Sequence, residues 1–400
     1  MMPVTTAPYY IGLDLGTSAS KGVLYCRNRN AVLARGSCPV RHLRTPDGRD
    51  EIAPESYWQD TWGLIASLAA QSPAPVRAIA CCAASGNTLV CTAEGQAKSP
   101  IISWLDRRKL PAPCPDLHDL VGWPWNGGFT LAHLLWLKEH QPQLFGPNSH
   151  YCMNNDWVQY RLCGNWALDY SSATPSFLQD QKNRCYHRDF LQLLGIGEQQ
   201  LSPLCPSGTR IGYLRSELCG PGLSSSTAVV SGSFDHPCAA RAVQVLQEGE
   251  LLLSCGSSWV GFQPRNTRTV RPGHLLDPFL RDQGGPWGSM VALSKIGVEL
   301  EEWICAHFGS DDQRYELFNA AACAGEGPAR QLMQETFRRF QALLGDRPVR
   351  RLAMVGGPSE GAGWRAVAGE VLSAEIVISE YSKEAGAVGA ALLAAQGAQP

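Results

Sequence analysis

The feature that most constrains this chain is a device that occurs twice. An apolar, β-prone run is followed by a turn of Gly, Ser and Thr and then by a second β-prone run. The first copy is Tyr9–Leu13, the turn Asp14–Ser20 and Lys21–Tyr25; the second is Glu250–Ser254, Gly256–Ser258 and Trp259–Phe262. Apolar runs bounded by small polar residues read as hairpins. One such hairpin at the head of each half predicts two domains in the 400 residues, as a prior of roughly 100–200 residues per domain allows.

The remaining elements follow the same plan. Hydrophobic spacing predicts helices over Pro54–Ala70, Phe129–His140 and Trp157–Leu162, and strands over Ala78–Ala84 and Thr88–Cys91. From Cys205 to Thr227 the composition shifts to Pro, Gly and Ser, which places a boundary near residue 225 and domains at 1–225 and 226–400. The second half opens with a strand, Ala228–Val230, that ends at Ser233-Phe234-Asp235. A helix over Pro237–Leu246, strands over Trp287–Val291 and Leu352–Val355, and an Ala-rich helix over Ala385–Ala395 complete it.

Composition excludes several classes. With 34 Lys+Arg against 36 Asp+Glu the net charge is −2, so the basic excess of a nucleic-acid binder is missing. No apolar run reaches the ~18 residues a membrane span requires, and Met1–Ile11 lacks the basic and apolar regions of a signal peptide. The expectation is a soluble cytoplasmic protein with no nucleic-acid or membrane partner. Fifteen cysteines include no C-x-x-C pair that could begin a zinc site. Cys81, Cys82, Cys91, Cys255 and Cys305 lie in apolar stretches and read as small buried hydrophobes.

Tight turns rich in Gly present backbone N–H groups, and Ser and Thr add hydroxyl donors, so both turns suit phosphate oxygens. Either alone also suits a simple chain reversal. Neither is a Walker loop, and no G-x-G-x-x-G follows a strand.

Taken in order, the motifs resemble those of the FGGY carbohydrate kinases, within the actin/hexokinase/heat-shock-chaperone superfamily. Asp14-Leu15-Gly16-Thr17-Ser18-x-x-Lys21 is similar to that family's first phosphate motif, and Trp104-Leu105-Asp106-Arg107-Arg108 to its W-x-D-x-R. Gly128-Phe129-Thr130 through Leu134-Leu135-Trp136 resembles its G-F-T-x-x-K-L-L-W stretch, and Ser231–Asp235 its G-x-x-D. Leu253–Ser258 resembles the second phosphate motif, Val355-Gly356-Gly357-Pro358-Ser359 the adenosine motif, and Glu384–Ala391 the closing E-x-x-x-x-G-A-A. Three departures stand out. Pro358 replaces a Gly, the stretch Gly309–Ala329 is shorter than in the family, and Ser85-Gly86-Asn87-Thr88 stands where xylulokinases carry Met-His. The last looks like the Ser-Gly-Thr of ribulokinase-like members.

The resemblance implies an α/β protein of two actin/hexokinase-like (ribonuclease H-like) domains with an interdomain cleft that closes over its substrates. It implies ATP and Mg²⁺, a small-molecule sugar substrate (a ketose or polyol such as a pentulose), and a homodimer as one oligomeric option. Asp235 would be the catalytic base, a role compatible with capping the helix that follows it, and Asp14 the Mg²⁺ ligand. Gly16, Thr17 and Ser18 would hold phosphates from one side and Gly256, Ser257 and Ser258 from the other, with Lys21 either a further phosphate contact or an exposed strand-edge lysine. Gly356, Gly357 and Ser359 would take the adenosine, while Ser85, Asn87, Trp104 and Asp106 would join Asp235 around the sugar. Asp156 reads equally as a helix cap, and His236 as a surface or capping residue. Two other classes fit parts of the pattern. A non-catalytic sugar- or nucleotide-binding regulator accords with Pro358 and the short 309–329 stretch, and a chaperone-like ATPase leaves W-x-D-x-R without a purpose.

Overall fold

The computed structural model describes residues 8–84, 86–114, 116–345 and 347–399. They form two compact units, Met1–Cys238 with Gly386–Pro400 and Ala239–Ala385. The chain leaves the first unit within the helix Asp235–Ala242 and returns at the start of the helix Ala385–Gly397.

The first unit is organised by the strand Tyr9–Leu15. Ile11, Leu13 and Leu15 on one face and Tyr10 and Gly12 on the other are all buried, as a strand covered on both faces requires. On one side it pairs antiparallel with Ala19–Cys26, which pairs antiparallel with Ala31–Pro39. On the other it pairs parallel with Val76–Ala83, then Ala228–Val230 parallel and Arg210–Tyr213 antiparallel at the edge. The helix Pro54–Ala70, with proline in its first turn, lays Leu64, Ile65 and Leu68 into this core. A second sheet of five short strands runs in the order His42–Arg44, Asp50–Ile52, Ile101–Ile102, Thr88–Thr92, Ser149–Met153. Its connections carry Asn87, Trp104 and Asp106.

The second unit repeats the plan. Glu250–Cys255 is flanked by the antiparallel Trp259–Arg265 and Trp287–Leu293 on one side and by the parallel Arg351–Gly356 and Glu375–Ile378 on the other. Its core is aromatic: Trp364 lies 5.1 Å from Trp259, 5.7 Å from Phe318 and 5.8 Å from Phe337 between ring centroids, within the range of favourable ring pairs.

The helices Pro54–Ala70 and Phe129–His140 and the strand Ala228–Val230 have the bounds expected from the sequence. The boundary near 225 does not match the compact units. Ala228–Val230 hydrogen-bonds to Val76–Ala83 inside the first sheet, so the division falls after Cys238. The Pro, Gly and Ser stretch before it is a connection within one unit, and it includes the strand Arg210–Tyr213. The short region 309–329 carries a ten-residue helix, Arg314–Cys323. Cys81, Cys82, Cys91 and Cys255 are buried as expected, but Cys305 is only half-buried and its thiol donates to Glu301 at 3.3 Å.

Candidate active site

In the first unit the hairpin register sets Asp14 directly across from Lys21. Burial and then the neighbouring Asp235 carboxylate push the Asp14 pKa up to about 7, against the opposing pull of Lys21 and the Cys82 thiol. Asp235 begins the helix Asp235–Ala242 just after Phe234, which bridges to Ala83 at the end of a central strand. Its carboxylate accepts the backbone N–H of His236 at 2.7 Å. Burial raises its pKa, with His236 opposing. Two half-buried carboxylates, one raising the cost of charge on the other, are an arrangement that suits a base and a cation ligand. Gly386, in the first turn of the Ala-rich helix, completes the recess. A Cβ there would stand 2.7 Å from Asp14 Oδ2, so only glycine fits beside the carboxylate. The closing E-x-x-x-x-G-A-A stretch thus brings Gly386 to Asp14.

The turn of this hairpin is held from two sides. The Trp104 indole N–H donates to the Thr17 hydroxyl at 2.9 Å, and His42 Nε2 lies 2.8 Å from the Thr17 carbonyl oxygen. His42 is itself bonded to Asp50, which also receives Arg44 at 2.8 Å. Asn87 is buried and accepts the Trp104 backbone N–H at 2.9 Å. Thr17, Trp104 and Asn87 therefore form one connected arrangement. Gly16 is half-buried and Ser18 is exposed in the same turn. Ser85 lies outside the described residues.

Asp106 differs from expectation. It is completely buried, and its two oxygens accept four donors: the N–H of Asp50 (3.0 Å), the N–H of Arg108 (2.9 Å), and Arg108 Nε (2.9 Å) and NH2 (2.6 Å). An ionised carboxylate has about four acceptor positions, so none remains for a sugar hydroxyl. Burial would raise its pKa, but the bonds from Arg108 and Asp50 outweigh burial and hold it below the ordinary value. Asp106 is a strut under the Trp104 loop. Of the two readings of Asp156, ligand contact or helix cap, the structure shows the bonds of a cap: it accepts the Met153 N–H at 2.8 Å and the Ser202 hydroxyl at 2.6 Å.

Sequence reasoning missed an aromatic wall beside Asp235. Trp123 meets Phe234 at 5.5 Å and Phe129 at 5.9 Å; Phe129 stacks on Phe177 at 5.8 Å, and Trp125 meets Phe177 edge-on at 5.1 Å. Phe129 and Phe177 both have positive φ, a conformation uncommon for non-glycine residues and worth a functional reading. The signal was present as Trp123-Pro-Trp125 just ahead of Gly128-Phe129-Thr130.

In the second unit Gly256, Ser257 and Ser258 of the turn are exposed. Its fixed contacts are few: the Gly297 N–H reaches the Ser257 carbonyl at 3.0 Å and the Lys295 N–H reaches the Ser258 hydroxyl at 3.2 Å. Gly356 has φ 93° and a Cβ there would meet the Cys255 carbonyl at 2.3 Å, so glycine alone lets the two parallel strands end side by side. Ser359 is buried and donates to the Gly356 carbonyl at 2.6 Å, which fixes the bend. Pro358 sits in the first turn of the 3₁₀ helix Gly357–Glu360, where its missing N–H leaves no bond unmade. A cleft of about 820 Å³ opens here, bounded by Gly256, Gly357, Pro358, Tyr315, Asn319 and Lys383. Tyr315, Asn319 and Lys383 were not singled out in the sequence. Tyr315 is held by its hydroxyl bond to Glu301 at 2.6 Å.

Among the described residues no three His, Cys, Asp or Glu side chains converge as a metal cage. The Asp14 recess still fits Mg²⁺, which keeps water and phosphate ligands and needs only one or two carboxylates. The elevated Asp14 pKa is the mark of an anion whose charge lacks full compensation.

Comparison with known proteins gives a consistent answer. Residues 9–241 match the model of the FGGY family of carbohydrate kinases, N-terminal domain. Xylulose kinase of Bacillus subtilis (strain 168) is 30% identical over 263 residues, 63% of this chain and 52% of that protein. Autoinducer-2 kinase of Yersinia enterocolitica is 27% identical over 277 residues, 64% of this chain and 51% of that protein. The chain thus spans about half the length of these curated relatives. Xylulose kinase from Rhodospirillum rubrum superposes with a TM-score of 0.85 at 20% identity, covering 98% of this chain and 90% of that one. Glycerol kinase from Plasmodium falciparum, solved with ADP, gives 0.85 at 14% identity over 97% and 89%. The two-domain actin/hexokinase-like fold is shared with both.

Proposed function

The chain belongs to the FGGY family of carbohydrate kinases, and from that premise we propose that it transfers the γ-phosphoryl group of ATP to a hydroxyl of a small sugar. The acceptor is a ketose or polyol, with a pentulose first among them. The observation that carries this reading is the pairing of two half-buried carboxylates, Asp14 and Asp235, near enough that Asp235 raises the cost of charge on Asp14, beside the first hairpin turn.

Phosphoryl transfer asks the protein mainly to position groups and to balance charge. Asp235 accepts the proton of the attacking hydroxyl as that oxygen bonds to the γ-phosphorus and the bond to ADP breaks. Its raised pKa makes it a stronger base than an ordinary carboxylate. Mg²⁺ at Asp14, when bound, supplies neutralisation of phosphate charge. Thr17, Ser18 and Lys21 are the first unit's candidates for phosphate contact, and the N–H groups and hydroxyls of Gly256, Ser257 and Ser258 are those of the second unit. Gly357, Pro358 and Tyr315 border the cleft proposed for adenosine. Asn87 and the Trp104 face serve the sugar, with the Trp123, Phe129 and Phe234 wall against its C–H surface. Asp106 acts through Arg108 and the Trp104 loop. None of the fifteen cysteines is in a disulfide, and among the described residues no helix is long and apolar enough to cross a membrane. A cytoplasmic location is part of the proposal.

Retention of both carboxylates favours an enzyme over a binding regulator. The test is a coupled ADP-release assay with Mg²⁺ATP over D-xylulose, D-ribulose, glycerol, polyols and aldoses. ADP release that depends on a ketose or polyol supports the reading. Nucleotide binding with no acceptor-dependent release on any member of the panel contradicts it.

A further inference from the structure

A second cleft of the Ala239–Ala385 unit has no part in the reaction above. It measures about 620 Å³, and four arginines line it, Arg265, Arg271, Arg347 and Arg350, with Glu248 the one acidic residue of the lining. It shares no lining residue with the nucleotide cleft. The two lie at opposite ends of one hairpin. Arg265 ends the strand that leaves the Gly256–Ser258 turn, seven residues beyond Ser258, which at ~3.3 Å per residue is roughly 20 Å.

The charge in this cleft is unbalanced. Arg265 is only 7% exposed, and its Nε has no hydrogen-bond partner among the described residues. Its one acidic neighbour, Glu248, lies 3.6 Å away and is also engaged by Asn266 at 2.6 Å. Arg350 donates to the Glu248 backbone carbonyl at 2.6 Å and leaves the carboxylate alone. Burial, then Arg347 and Arg271, push the Arg265 pKa down to about 10. Burial and Arg271 likewise lower that of Arg347. Buried His274, bonded to Ser289 at 3.0 Å, is held below its ordinary value by burial and the same arginines. Cations that raise each other's energy around one open cleft, with Arg265 buried at its wall and Arg271 and Arg350 exposed, are stabilised together by one multivalent anion, and guanidinium forks match phosphate oxygens two at a time.

We propose that this cleft is a binding site for a small molecule carrying at least two phosphate charges, distinct from the nucleotide and sugar sites. The size argues for a metabolite, since small-molecule sites run from ~300 to ~1,000 Å³. This inference stands apart from the kinase reading and survives its failure.

The experiment is calorimetric titration of the full chain with inorganic pyrophosphate in low-salt buffer. A saturating non-hydrolysable ATP analogue keeps the nucleotide cleft occupied. One equivalent should bind, and Arg271→Ala with Arg347→Ala should weaken it roughly ten- to a hundredfold, as loss of charge-assisted bonds implies. Both side chains reach solvent, so the variant should keep the wild-type circular dichroism and its affinity for the ATP analogue. In the wild-type protein, pyrophosphate should protect Arg271 and Arg347 from phenylglyoxal, read by mass spectrometry. Absence of both heat and protection overturns the proposal, as does undiminished binding by a folded variant. Inorganic phosphate binding as tightly as pyrophosphate overturns the two-charge ligand. Protection by oligouridylate where pyrophosphate gives none makes the surface a nucleic-acid contact.

Discussion

In the first hairpin Thr17 is held by Trp104 through its hydroxyl and by His42 at its carbonyl, and Asp14 and Gly386 close the recess behind it. In the second hairpin, on a sheet of the same plan, Gly256, Ser257 and Ser258 are exposed, and among the described residues the hydrogen bonds they receive from outside the turn come from two backbone N–H groups, those of Gly297 and Lys295. The difference is one of preorganisation. A turn whose side chains are already bonded is rigid and charged, as suits the place where a proton is taken and phosphate charge is balanced. A turn held through so few bonds is the more open receptor, as would suit the nucleotide proposed for it.

The largest effect should come from the rigid side. Asp235→Asn keeps the shape and removes the base, and turnover should fall by roughly 10²–10⁴-fold with binding of the ATP analogue little changed. Turnover within a few-fold of wild type would take Asp235 out of the reaction and erase the contrast. The same residue sets the acid limb of the pH profile. Its pKa is raised and it must be ionised to accept a proton, so kcat/KM should fall as pH drops through a value above the usual carboxylate range of about 3.9. A steady-state profile that stays flat down to pH 4 would contradict this.

A paired substitution sharpens the comparison at smaller scale. Trp104→Phe removes the bond to Thr17 and should cost about 1 kcal/mol of stability, with a higher KM for the sugar. Ser257→Ala, on the open turn, should leave the melting temperature unchanged and raise only the KM for ATP. Equal stability losses in thermal melts would mean that the two turns are held alike. Smallest of all should be Pro358→Ala. The proline occupies a first-turn position that asks for no N–H, so the change in stability should stay within ~1 kcal/mol and ATP binding should hold. A large loss of ATP binding in a titration would show that the ring itself touches the nucleotide.

What could be read from the chain alone was local. Both hairpins announce themselves through Gly, Ser and Thr between apolar runs, and Pro54 marks the start of its helix. The strand Ala31–Pro39 was not legible. It lies at the outside of its sheet with exposed and half-buried residues alternating, and Arg35 and Gly36 in its middle obscure the β pattern. The domain boundary was misplaced because Pro, Gly and Ser report a loop, whereas membership of a unit is decided by strand pairing, here Ala228–Val230 with Val76–Ala83. At the site, Asp14 and Asp235 could be named from their motifs. Asp106 could be named but not given its role, because one of its partners is the N–H of Asp50, 56 residues away. Tyr315 and Asn319 come to the nucleotide cleft on a separate helix, Arg314–Cys323, without a motif of their own.

The most direct test of the central claim follows the phosphoryl group itself. ATP labelled with ¹⁸O in the γ-phosphate is incubated with the protein, Mg²⁺ and each ketose or polyol that supports ADP release, and the products are read by mass spectrometry. The account predicts labelled sugar phosphate from the wild-type protein, and an amount lower by roughly 10²–10⁴-fold from Asp235→Asn in the same time. Label found only in inorganic phosphate, or equal sugar phosphate from both proteins, would contradict it.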